Sequence, residues 1–113
     1  MQQAEFETLF DQTVEDCRKL LVIKGGEYAG GSDRFSNFKR GAGLTGTHHL
    51  QVALIYMSKH YDSLCTYVRD TASGTNRPRS ESILGRCDDL INYAVLMKGM
   101  IQELEEAAGN ERV

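Results

Sequence analysis

Apolar residues recur at three- and four-residue steps over three long stretches of the chain, with polar residues filling the positions between them. Phe6, Phe10, Val14, Cys17 and Leu21 do so between residues 4 and 24, the pattern of an amphipathic helix with one face on a core. Gly25 and Gly26 come next and predict its end there. Leu50, Ala53, Leu54, Met57, Tyr61, Leu64 and Val68 mark a second helix over about 48 to 69, with Thr47 as its N-cap. The third carries Ile83, Cys87, Leu90, Ile91, Ala94, Met97, Ile101 and Leu104, runs to about residue 106, and starts at Ser80, an N-cap with Glu81 in the first turn. No period-two alternation competes and no internal repeat is present. The expectation is an all-α protein, a small bundle of three main helices joined by a glycine-rich segment with a short helical turn. Residues 71–80, TASGTNRPRS, hold the only proline and no large apolar side chain, and predict a solvated loop. Tyr93, Leu96 and Met100 flank the stripe of the third helix; either a dimer interface or a larger core accounts for them.

At 113 residues the chain fits one domain, spanning 1–113, with room for a real core. A net charge of −3 supplies no general attraction to extended nucleic acid or to an anionic membrane, so a polyanionic partner must be met by a local basic patch. Cys17, Cys65 and Cys87 are odd in number and lack CxxC spacing, which argues against a disulfide framework or a zinc site. Reduced thiols, no apolar run of membrane-spanning length and an acidic N-terminus predict a cytoplasmic protein.

The segment KGGEYAGGSDRFSNFKRGAG, residues 24–43, concentrates glycine, basic and aromatic residues and does not read as a regular helix. It matches neither phosphate-loop glycine pattern and comes after a helix instead of a strand, which removes those two readings. Lys24, Arg34, Lys39 and Arg40 offer donors for phosphate, and Tyr28, Phe35 and Phe38 offer faces on which a base can stack. The plainer account is that Phe35 and Phe38 anchor a helical turn while the charges solvate it.

On the third helix Glu81, Asp88 and Asn92 fall on one line, with Asp89 and Tyr93 to one side. Carboxylates on adjacent turns suit a hard cation such as Mg²⁺, which carries a polyphosphate with it. The same line lies opposite the apolar stripe, so a solvated outer face is the competing account. Lys59 and Asp62 form a local pair or a phosphate contact on the second helix, and Arg77 and Arg79 precede the third helix, where an anion is favoured. His48, His49 and His60 lack zinc-helix spacing and read as surface or supporting residues.

In order and spacing, the blocks Lys24-Gly-Gly-Glu27-Tyr28, Arg34-Phe35-Ser-Asn37-Phe38-Lys39, Lys59-His-Tyr-Asp62 and Glu81 with Asp89-Leu-Ile-Asn92-Tyr93 resemble the MazG-like all-α nucleotide pyrophosphohydrolases, in particular the nucleotide-modification-associated phage and bacterial branch. The likeness spans about residues 10 to 104. It implies a helical homo-oligomer, a dimer or tetramer, with Mg²⁺ on helix-borne carboxylates. Glu81 and Asp89 would be catalytic, and Glu81, Asp88 and Asp89 the metal set. Lys24, Glu27, Tyr28, Arg34, Phe35, Phe38, Lys39, Lys59, Asp62, Asn92 and Tyr93 would surround the nucleotide. The chain departs from the family's carboxylate pattern: only Lys59 and Asp62 represent the first acidic block, and Arg86 stands where the second has a Glu.

Three functions are therefore expected as alternatives. One is a Mg²⁺-dependent nucleoside triphosphate pyrophosphohydrolase. The second is a binder that sequesters a nucleotide or cyclic nucleotide second messenger without cleaving it, and the third is a helical adaptor.

Overall fold

The computed structural model describes residues 1–29 and 33–109, apart from the side chains of Tyr28 and Ala29. Every regular element among them is helical: α1 Gln3–Arg18, a π-helical segment Lys19–Lys24, α2 Gly25–Ala29, α3 Ser36–Thr45, α4 His49–Ser73 and α5 Ile83–Ala107. The all-α expectation holds. None of these helices is long and apolar enough to cross a membrane.

The boundaries differ from expectation at points that have local causes. Gly25 and Gly26 do not stop the first helix, because both continue it as the opening of α2 after the π-helical segment. Much of the glycine-rich stretch is thus helical, in α2 and in the ten-residue α3. The N-cap of α4 is His48 instead of Thr47; its Nδ1 accepts from the Leu50 N–H at 3.1 Å. Ser82 instead of Ser80 caps α5, its Oγ accepting from Gly85 N, and Glu81 therefore precedes the helix. Left-handed glycines, Gly46 and Gly74, end α3 and α4.

The loop from 74 to 82 is exposed but tethered. Arg77 donates to both Asp70 oxygens at 2.8 and 3.1 Å, and Arg79 donates to Oδ2 at 3.0 Å while lying over the Tyr67 ring. The Arg77 bonds hold the Asp70 carboxyl below its ordinary value. These arginines are committed to closing the α4–α5 connection, where the sequence left them available for a phosphate.

The core is small and lies where α3 crosses the α4–α5 pair. Phe38, Val52, Ala53 and Met100 form its buried centre, with Phe35, Leu50, Tyr93 and Leu96 packed around it. Gly41 and Gly99 permit the approach: a Cβ at Gly99 would lie 2.7 Å from the Phe35 ring, and one at Gly41 would lie 3.1 Å from Val52. Met100 belongs to this core and Tyr93 and Leu96 pack against it, as the larger-core account of these residues expects.

The faces of α4 and α5 are turned in an unexpected sense. The Asp88 and Asn92 side of α5 looks inward, Asn92 being 8% exposed, while Leu54, Tyr61, Val68, Ile91 and Ile101 of the apolar stripes are exposed. α1 touches α5 near its C-terminal end, where Cys17 is buried with its Sγ 3.8 Å from the Asp88 carbonyl. Phe6, Phe10 and Val14 nearer its start remain exposed.

Candidate functional site

A cleft of about 280 Å³ opens between the π-helical segment, α3 and the inward face of α5, near the lower end of the roughly 300–1,000 Å³ usual for small-molecule pockets. Its cations are Lys24 and Arg34, its carboxylate is Asp89, its amides are Asn37 and Asn92, and Phe38 and Tyr93 add aromatic wall. Leu20 and Leu21 complete it from the π-helical turn. Single π turns inside helices are frequent at functional sites, where they widen the backbone and re-aim the next helical turn.

Here the re-aimed elements are Lys24 and Gly25. Gly25 has ordinary right-handed helical dihedrals, so its use is spatial: a Cβ there would overlap the Arg34 guanidinium. Packed against this glycine, Arg34 donates from Nη2 to the Leu21 carbonyl at 3.2 Å. That bond fixes the guanidinium at the cleft wall and leaves its other N–H groups as donors towards a ligand.

The two amides carry the strongest ligand signal. The Oδ1 atoms of Asn37 and Asn92 are buried and have no hydrogen-bond partner. A buried acceptor left unmatched costs about 1–3 kcal/mol, and two of them line one cleft. An N–H or O–H donor that reached either oxygen would remove that cost.

Behind the cleft, His60 is buried and stacks on Tyr93 with ring centroids 5.5 Å apart. Its Nδ1 lies 3.0 Å from Arg86 Nη1 and 3.3 Å from Asp89 Oδ2. Arginine can only donate, so Nδ1 is the acceptor of a neutral imidazole and makes no hydrogen bond to Asp89. Burial lowers the His60 pKa below 6.5, the pull of Asp89 being the smaller effect. Arg86 also holds Glu81 at 3.2 Å, in a separate cleft bounded by Arg77 and Arg79.

Since the folded pKa of His60 lies below the unfolded one, its contribution to stability is complete above pH 6.5 and is lost as pH falls through the lowered value. Urea midpoints measured from about pH 8 down to about pH 5 should therefore decline with a slope that His60→Gln flattens. An unchanged slope in that variant would remove His60 as the titrating group.

The expected site residues divide clearly. Lys24, Arg34, Phe38, Asp89, Asn92 and Tyr93 line one cleft. Phe35 packs on Gly99 in the core, and Lys39 pairs with Asp33 at 2.7 Å and Glu103 at 3.8 Å. Glu27, Lys59 and Asp62 are exposed and outside the cleft lining, and the Tyr28 side chain lies outside the described residues. Of the metal set, Asp89 reaches the cleft, Glu81 is held by Arg86, and Asp88 faces α1, where burial and then the charge of Asp16 raise its pKa. Among the described residues no three His, Cys, Asp or Glu side chains stand together as a metal site.

Sequence reasoning passes over three contributors. Asn37 sits unused between Phe35 and Phe38, His60 reads as a surface or supporting residue, and the π-helical turn carries no sequence signal that separates it from α-helix. Comparison of the chain with family models, curated proteins and solved structures finds no match.

Proposed function

We propose that this chain is a nucleotide-binding protein that captures its ligand in the cleft between the π-helical turn and α5. The observation that carries the reading is the pair of unmatched buried amide oxygens, Asn37 and Asn92 Oδ1, in a cleft that also presents Lys24 and Arg34. Two acceptors suit the N–H groups of a base edge, and two cations suit phosphate, Arg34 with a preset fork. The Tyr93 ring at the wall adds a surface for stacking.

Capture is favoured over hydrolysis by the dispersal of the carboxylates. Asp89 is the one member of the expected trio that lines the cleft, and Mg²⁺ enters this reading on the nucleotide's own phosphates, facing Asp89. Hydrolysis of a phosphoanhydride would require more negative charge to gather metal and activate water than a lone carboxylate provides.

Mass spectrometry of the native protein after incubation with a mixture of nucleoside mono-, di- and triphosphates, cyclic nucleotides and Mg²⁺ tests this directly. Retained nucleotide without new products is the expected result; release of pyrophosphate would replace capture with hydrolysis, and no retained nucleotide would end the proposal. Asn92→Leu should remove the retained ligand while leaving the unliganded Tm unchanged or higher, because it deletes an unsatisfied buried acceptor at nearly constant volume. A variant that still retains the ligand would dissociate Asn92 from recognition.

A further inference from the structure

We infer that the cleft between α4 and the start of α5, lined by Arg77, Arg79 and Arg86, binds a phosphate group, either orthophosphate or the phosphate of a small monoester. The cleft shares no lining residue with the nucleotide cleft, so its ligand is independent of the nucleotide reading.

Two separate pieces of the chain bring the arginines together. Arg77 and Arg79 flank Pro78 in the loop, where the proline ring restricts the backbone, and Arg86 lies in the first turn of α5. All three line one cleft of about 220 Å³ together with Thr66 and Ser80. That volume is below the roughly 300–1,000 Å³ usual for small-molecule pockets and suits a single ionic group.

Closing the α4–α5 connection uses only part of each loop guanidinium. Arg77 gives Nε and Nη2 to Asp70, and Arg79 gives Nη2 to Asp70 and Nη1 to the Arg77 carbonyl. Arg77 Nη1 and Arg79 Nε have no partner among the described residues. Asp70 thus presets the two forks at the cleft wall and leaves each a donor to give.

Arg86 carries the strongest signal. Its side chain is 13% exposed, its Nη1 is shared between neutral His60 and Glu81, and its Nε and Nη2 have no partner among the described residues yet remain accessible. The Glu81 side chain is 55% exposed, and an ion pair with so exposed a partner contributes little. A mostly buried cation is left without a firm counter-ion, which an incoming anion supplies.

The charge balance has the matching sign. Three guanidinium groups stand against two carboxylates, Asp70 and Glu81, so the cleft is locally positive on a chain whose net charge is −3. Forked donors from three arginines, with two hydroxyls, suit the several oxygens of a phosphate better than the two of a carboxylate. On binding, phosphate takes the place of Glu81 beside Arg86.

Equilibrium dialysis of the full chain against radiolabelled orthophosphate tests this, at about pH 8, where a phosphate carries close to two charges, with ionic strength held constant by chloride. Saturable binding is expected. Glu81→Gln should tighten it by about 2- to 10-fold, because a competing carboxylate is removed. Glu81 is exposed and precedes α5, so this variant does not depend on the core. Arg86→Gln should weaken binding by about tenfold or more. Unlabelled methyl phosphate as competitor separates the sources: displacement supports a monoester site and its absence an orthophosphate site. No saturable binding, an affinity that Glu81→Gln leaves unchanged or weakens, or binding that Arg34→Ala abolishes and so places in the nucleotide cleft, would overturn the inference.

Discussion

Phe38→Ala should remove about 3–5 kcal/mol of stability, the cost of deleting a fully buried aromatic side chain and leaving its cavity. Phe38 is 2% exposed and stands at the centre of the cluster with Val52, Ala53 and Met100. It also meets Tyr56 edge to face with centroids 6.2 Å apart, a geometry worth about 0.5–1.5 kcal/mol beyond area. For a chain of this size total stability is on the order of 6–17 kcal/mol, so one substitution removes a large share of it. The Tm should fall by more than about 12 °C, read by thermal denaturation followed by circular dichroism. Phe38→Leu, which keeps most of the volume, should lose much less. An alanine variant within about 1 kcal/mol of wild type would show that this crossing is not the keystone of the fold.

Phe38 also shows what kind of information the pattern of residues contains. Its neighbourhood is legible as an aromatic and basic segment against the helices, and two roles are open to it in the sequence, stacking on a ligand or anchoring a helical turn. Burial at 2% settles the balance towards anchoring, with the cleft using only its outer surface. The long helices are equally legible because a repeat of three and four survives in any environment. Which face turns inward is not, since periodicity defines a stripe without naming what covers it. The stripes of α4 and α5 read as facing the chain's own core, whereas only part of each does so: Leu50, Ala53 and Met97 join the core with the flanking Val52, Tyr93 and Met100, and Leu54, Tyr61, Ile91 and Ile101 are exposed.

The same limit applies to the carboxylates. Glu81, Asp88 and Asn92 share a line on an ideal helix, but α5 starts after Glu81 and turns Asp88 towards Asp16 of α1. One helical line is thereby divided among a loop, a helix contact and a cleft. Of the residues in the four blocks, Lys24, Arg34, Asp89 and Asn92 line one cleft whereas Glu27, Lys59, Asp62 and Glu81 do not, and spacing alone could not foretell the π-helical turn beside Lys24.

Gly25→Ala should weaken nucleotide binding by about 10- to 100-fold while leaving the unliganded protein within about 1 kcal/mol of its original stability, the alanine's helix preference offsetting the lost Arg34 bond. The two effects separate because they have different physical origins. Gly25 sits at right-handed helical angles, where alanine is favoured over glycine by up to about 1 kcal/mol. Its Cβ, however, would occupy the space of the Arg34 guanidinium. Backbone here is continuous helix, and Arg34 is the far end of a flexible side chain, so the arginine moves and its bond to the Leu21 carbonyl is lost. A charge-assisted contact to phosphate is worth about 1.5–3 kcal/mol, which sets the size of the loss. Isothermal titration with the nucleotide identified by mass spectrometry gives the affinity, and a thermal melt of the same sample gives the stability. Arg34→Ala should reproduce the weakened binding, and the double variant should be no weaker than either single one, because both remove the same guanidinium. Additive losses would mean that Gly25 acts on the ligand independently of Arg34, and the role assigned to Gly25 as the seat of the guanidinium would have to be given up.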